Sequence, residues 1–508
     1  MRTALVLLFL LALAAVPGSV LPQRSVSVEA VRQWYRDHPD LAPTVDRLGG
    51  FDVYSSPWFS AIYLLLFTSL VGCVVPRLRD HLRALRGAPV DAPRRLSRLP
   101  QHATGLRHDA PPAEAGAALH AALRSKRWRS VVRSHADGTV TVSAEKGYLK
   151  ETGNLLMHTA MVAVLVGVAL GAWYGWHGNR LVVAGPDHRF CNVLQQYDEY
   201  GLGSRVDGTA LPPFCFELTD FDAEYTETGQ PLSFQARGEV AEAGGAPRPV
   251  EFTVNSPLRL DRANLYLLGH GYAAVLRYTD RYGQTQTAVA PFLPIDNLGT
   301  AEGVAAFPDA NVDPERPAER DRSLQVAFEG LYLPTAPADA PVLIRSEHPE
   351  EQSPLLMLFA YRGDLGIDSG AATSLWQLNP AQIAAGELAM VGEPTFLRPG
   401  ESMTLDDGTT VEFVGTQRWI TVSVRYDPGE PVVLTGAGLL LVGLVLSLTG
   451  RRRRVWFRLR PGDDNHSDIE AAGLPRSDYA GFPDEFADLL RKLPVSEAPV
   501  PVPVARSS

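Results

Sequence analysis

The side chain best placed to do chemistry is His158. It lies in the apolar stretch 153–176, which holds no Asp, Glu, Lys or Arg. An ionisable residue there is costly in a bilayer and usually faces a protein interior or a cavity. A neutral imidazole has two uses in that setting. It can hydrogen-bond a backbone carbonyl or a Ser/Thr hydroxyl on a neighbouring helix, worth about 1 kcal/mol. It can also give a ring nitrogen to haem iron as an axial ligand. One histidine supplies one axial bond, and the other apolar stretches hold none. A second ligand would have to come from another chain.

Other candidates are weaker. Thr159 reads as helix packing. His177, just past the far end of the stretch, sits beside Gly178 and Asn179 and reads as loop. His188 has no partner pattern, and His270 lies in a Gly-His-Gly turn with a structural role as its default. Cys191 and Cys215 share an acidic segment, where a disulfide and free thiols are both open; Cys73 stands apart. With three cysteines and no Cys-x-x-Cys-His or Cys-x-x-Cys, the chain is neither a c-type cytochrome nor a thioredoxin-like reductant. No Walker A pattern or nucleophile elbow occurs.

The elements that must position these groups follow from hydropathy and charge. Four spans are expected at 1–22, 58–76, 153–176 and 431–450, each near the ~20 residues needed to cross a bilayer. The first also resembles a signal peptide. Arginines 77, 79, 83, 86, 94, 95 and 98 follow the second span, and Arg451–Arg454 follow the fourth. All four lysines lie in these same two regions. The segment 177–430 has roughly twice as many acids as bases. The positive-inside rule then puts 77–152 and 451–508 in the cytoplasm, and 23–57 and 177–430 outside. Beside membrane spans, the basic patches do not argue for nucleic acid.

Within this frame, Ser27–His38 reads as a capped helix ended by Pro39, and Tyr54, Trp58 and Phe59 as interfacial anchors. A linker at 77–111, a helix at 113–127 and a hairpin at 129–143 around Asp137-Gly138 predict a small cytoplasmic α+β module. Outside, strands are expected from 180 to 185 and at 214–221, 232–240, 250–254, 264–269, 273–279 and 286–291. A loop at 300–323 precedes further strands at 323–333, 342–346, 355–362, 403–405, 410–416 and 420–426. The tail from 461 reads as polar, Pro-rich and mostly disordered, with one amphipathic helix at 486–493. The fold class is therefore a multi-pass α-helical membrane protein with four transmembrane helices. It carries a large β-rich extracytoplasmic domain, as a sandwich or open barrel, and a small α+β cytoplasmic module.

Several runs carry a resemblance: AEKGYLKETGNLLMH (144–158), VNSPL (254–258), LYLLGHGYAAV (265–275) and YDPGEPVVLTGAGLLLVGLVLS (426–447), together with the first two spans and their spacing. In order and layout the chain resembles the ResB (CcsB) family of cytochrome c biogenesis proteins, of the actinobacterial type, up to about residue 460. That resemblance implies a plasma-membrane subunit of the system II maturation complex. Such a subunit would handle haem b and present it for thioether attachment to apocytochrome c. It implies His158 as an axial ligand to the haem iron and a WWD-motif ResC/CcsA-type membrane partner, a motif this chain lacks. A thioredoxin-like thiol reductant would serve the same pathway, and the chain itself would be a non-catalytic subunit. A membrane-anchored extracytoplasmic scaffold without haem is the alternative.

Overall fold

The computed structural model describes residues 2–497 except 25, 317–319, 339–344, 368–373 and 477–479. The chain forms two bodies, Met1–Ala169 with Gly429–Ser508, and Leu170–Pro428.

In the first body, three helices are long and apolar enough to cross a membrane: Pro57–Arg86, Leu149–Tyr174 and Glu430–Thr449. The helix Arg2–Val20 is apolar over the shorter stretch Leu5–Val20. The Leu149–Tyr174 and Glu430–Thr449 helices meet along a seam of small residues. Gly153, Ala160 and Gly167 recur every seven residues on one, and Gly429, Gly436 and Gly443 on the other. A Cβ on Gly153 would lie 2.7 Å from the Gly443 carbonyl oxygen, and one on Gly167 3.0 Å from that of Gly429. Without a hydrophobic drive in lipid, such close backbone approach is what holds helices together. The seam also fixes the rotation of the histidine-bearing helix.

The second apolar helix does not stop at Pro76. It runs on to Arg86, so the expected linker at 77–111 begins as helix. Proline removes one hydrogen bond, and the Arg/Leu-rich continuation keeps the turn, with Arg83 and Asp80 paired at 2.9 Å. His81 then fixes this helix to the next: its Nε2 is 2.9 Å from Thr152 Oγ1 and its Nδ1 3.5 Å from Glu151. Among the described residues of 21–57, Phe51 and Val53 are buried. Ser27 caps the Val28–Asp37 helix as expected, and Arg24 bridges Asp46 at 2.7 Å and Asp52.

The small α+β module is larger than its sequence suggests. A six-stranded antiparallel sheet runs Arg129–Ser134, Val140–Lys146, Arg453–Pro461, Ser467–Pro475, Gln101–His108, Ser496–Glu497. The helices Pro112–Ser125 and Phe482–Arg491 cover it, with Leu119, Leu123, Phe486 and Leu489 packed on Val142, Phe457 and Ala471. Among its described residues up to 497, the tail expected to be disordered is thus strand and helix. The inward positions Val455, Phe457 and Leu459 before it, and Ile469 and Ala471 within it, alternate among arginines and acids, and that charge masks them. Glu145 is buried where the sheet meets the helices. It pairs with Arg452 at 3.4 Å and with Arg454, and accepts from the Tyr148 hydroxyl. Burial pushes its carboxyl up, but Tyr148 and the two arginines outweigh this and hold it below the usual range.

In the second body the strands of three sheets, of seven, five and four strands, pair antiparallel and enclose two main cores. Two long strands, Ala263–Thr279 and Thr410–Tyr426, pair along their length and serve both. Expected as four short strands, they are continuous, with a bulge in each, between Leu267 and Gly269 and at Val414. A bulge shifts the alternation by one residue. Inward positions change from Leu265 and Leu267 to Tyr272, Ala274, Leu276 and Tyr278. The Gly-His-Gly segment is accordingly strand, not turn. A Cβ on Gly271 would meet the Trp419 ring at 2.6 Å. The expected loop at 300–323 opens with a strand, Ala301–Phe307, whose Ala and Gly residues hide a clean alternation. Leu388–Leu397 is a further unanticipated strand. Of the expected strand at 342–346, residues 342–344 lie outside the described residues. The body is neither one sandwich nor one barrel.

Candidate functional site

The Leu149–Tyr174 helix presents Asn154, His158, Met161 and Leu165 on one face, at i, i+4, i+7 and i+11. That face lies away from the glycine seam and lines a cavity of about 480 Å³. Leu5, Leu8 and Leu11 of the first helix form a second wall. Tyr63, Phe67, Leu70, Cys73, Val74 and Arg77, along one side of the Pro57–Arg86 helix, form a third. The walls are mostly hydrocarbon.

His158 is half-buried, and its Nδ1 lies 2.7 Å from the backbone oxygen of Asn154. A carbonyl oxygen only accepts, so Nδ1 donates, and the neutral ring keeps its lone pair on Nε2. Nε2 has no hydrogen-bond partner among the described residues. Of the two uses open to a histidine in such a span, the packing bond is made by one nitrogen and the other is left available. This is the arrangement in which a metal-bound imidazole is held, with its second nitrogen bonded to fix tautomer and ring rotation. Among the described residues, no three His, Cys, Asp or Glu side chains cluster to cage an ion. A metal that carries most of its ligands already would need only Nε2 from the described residues. An iron macrocycle meets that condition, and a carbon-walled cavity with one free imidazole nitrogen fits it.

The other candidates go elsewhere. His177 lies in the strand Trp176–Val183 rather than a loop, opposite Gly201. His188 is in a short turn. Cys191 and Cys215 sit opposite one another on paired strands and are bridged. His270 packs on Phe221 and Phe234, with ring centroids 4.9 and 4.5 Å away. It lines a groove of about 720 Å³ with Tyr225 and Tyr272. Burial first, and then the positive charge of Arg418, lowers its pKa to about 4. Sequence reasoning missed two contributors to the His158 cavity: the Asn154 carbonyl and Arg77. The first is backbone, with no residue-type signal; the second stood in plain view as one basic residue among many.

Residues 1–487 match the family model described as the ResB-like family. Three cyanobacterial relatives are each named cytochrome c biogenesis protein CcsB. One from a Synechococcus strain is 25% identical over 500 residues, 98% of this chain and 96% of its own. One from Gloeobacter violaceus is 25% identical over 511 residues, 99% and 90%. One from Prochlorococcus marinus is 26% identical over 498 residues, 96% and 95%.

Proposed function

Because the chain belongs to the ResB-like family, we propose that it is a membrane subunit of the cytochrome c maturation machinery that holds haem b at His158. The observation that carries this is the His158 ring, which lines an apolar cavity and is bonded at Nδ1 to the Asn154 carbonyl, leaving Nε2 without a hydrogen-bond partner among the described residues. Nε2 would take one axial position on the iron, and a partner chain of the WWD-motif ResC/CcsA type the other. The Asn154 carbonyl keeps the ring from turning, and the leucine walls exclude water from the iron. When bound, the haem supplies the vinyl groups to which apocytochrome c thiols add as thioethers. This chain provides no general base for that addition; it holds and orients. A thioredoxin-like reductant would keep those thiols reduced.

In the same reading Arg2–Val20 is a fourth span and the plasma membrane is the host. The 170–428 body lies outside, where it docks partners. The sheet module of 101–146 and 453–497 lies in the cytoplasm. The sign of the flanking charges and the bridged Cys191–Cys215 support this sidedness.

The test is the spectrum of the complex purified in detergent with its membrane partner. A Soret band that is lost in His158→Ala and restored by added imidazole is expected. A colourless parental complex would favour the scaffold reading. So would a strain carrying His158→Ala, at normal protein level and without imidazole, that matures its c-type cytochromes fully.

A further inference from the structure

The cavity that faces His158 has one fully charged side chain on its wall, Arg77. It has no ion pair or hydrogen bond among the described residues, although Arg83, two turns on, is paired with Asp80. A guanidinium at the edge of a hydrocarbon cavity is stabilised by an anion, and its planar fork suits a carboxylate best. The level of Arg77 follows from the His81–Thr152 contact, which ties the two helices at one point. From there the cavity is lined by residues 77 back to 63 on one helix and 154 on to 165 on the other, so the helices run antiparallel. His158 is six residues beyond Thr152, about 9 Å by helix rise, and Arg77 is four residues before His81, about 6 Å. Arg77 thus sits about 3 Å from the level of the imidazole, toward the charged end of the helices.

Resting on the haem reading above, we propose that Arg77 is the specificity-determining residue for the ligand's carboxylate edge. It pairs with a propionate while His158 Nε2 holds the iron. The macrocycle then enters with its carboxylates toward the Arg77 end and its hydrocarbon edge toward Tyr63 and Leu165. An apolar cavity alone would accept a porphyrin in either orientation, and one cation at one end removes that ambiguity.

The experiment titrates the detergent-purified complex, stripped of haem, with haem and with haem dimethyl ester, whose carboxylates are capped, reading the Soret band. The parent is expected to bind the free acid about tenfold or more tighter than the ester, the scale of one charge-assisted pair. Arg77→Gln should lose that preference while keeping the parent's affinity for the ester and the parent's Soret maximum. Arg77→Lys should recover part of it. Unchanged ester binding also shows that the variant is folded. Equal binding of acid and ester by the parent would overturn the proposal, as would an Arg77→Gln variant that still discriminates. If the parent bound neither porphyrin, the haem reading itself would fall, and this one with it.

Discussion

At the scale of single residues, two of the chain's twelve histidines are instructive because they are unlike. His158 stands out by composition, as the lone histidine of an apolar stretch. Which of its nitrogens is free depends on the Asn154 carbonyl, and no residue type records that. His270 looked like part of a turn because the glycines on either side suggested one; Gly271 lets Trp419 approach instead. Between Phe221 and Phe234 its ring is held neutral, with a pKa near 4. An unfolded histidine titrates near 6.5. Above that pH neither state binds the proton and stability is at its full value. As pH falls from about 6.5 toward 4, the unfolded chain takes a proton that the folded domain refuses, so stability declines. The expected loss is about 2 kcal/mol across that window, discounted for the groove's access to water. Thermal melts of the full chain at pH 7.5 and 5 should show it, and His270→Phe should flatten the difference. A variant that melts with the parent's pH dependence would assign the effect to another group.

At the scale of elements, hydropathy revealed that the apolar helices exist but not how they face one another. The information was present as glycines seven residues apart, yet a hydropathy window averages spacing away. The same loss explains Ala301–Phe307, where Ala and Gly carry the alternation with little apolar contrast. It also explains the long bulged strands, where one inserted residue resets the period. The seam makes a sharp contrast testable. A side chain at Gly153 or Gly443 would press on facing backbone at 2.5–2.7 Å, whereas Gly72 and Gly438 have nothing within 4 Å. Gly153→Val and Gly443→Val should each cost about 1–3 kcal/mol, the usual range for overpacking. They should also lower haem retention, because the helix that carries His158 is rotated by this contact. Gly72→Ala and Gly438→Ala should match the parent in detergent melting temperature. Equal effects at all four positions would dismiss the seam.

At the scale of the whole molecule, charge is read twice. Arg451–Arg454 follow the Glu430–Thr449 helix and read in the sequence as a topological signal, but Arg452, Arg453 and Arg454 also pair with buried or half-buried carboxylates. Glu145 is 3% exposed and Arg452 7%, and Arg454 closes on the same carboxylate. Glu145→Gln removes the charge that Arg454 pairs with and leaves Arg452 only its Glu151 ion pair. A loss of about 3–5 kcal/mol is expected, the cost of breaking a buried pair from one side. It should appear as early proteolysis of the 453–497 segment, and a variant as protease-resistant as the parent would refute it.

The cysteines test the sidedness that the charges imply. Cys191 and Cys215, 24 residues apart, are bridged, while Cys73 is free. A disulfide persists on the oxidising side of a membrane and stabilises by about 2–4 kcal/mol. Intact cells treated with a membrane-impermeant maleimide should leave the chain unlabelled. Brief treatment with an impermeant reductant should then expose two reactive thiols, both lost in a Cys191→Ser, Cys215→Ser double variant. Cys73, set among helix residues that line the histidine cavity, should react only after permeabilisation. Each span inverts the chain, so labelling of Cys191 and Cys215 only from the cytoplasmic side would invert the topology. It would leave the sheet module outside and place the charged end of the cavity, where Arg77 stands, on the wrong face to receive haem made in the cytoplasm.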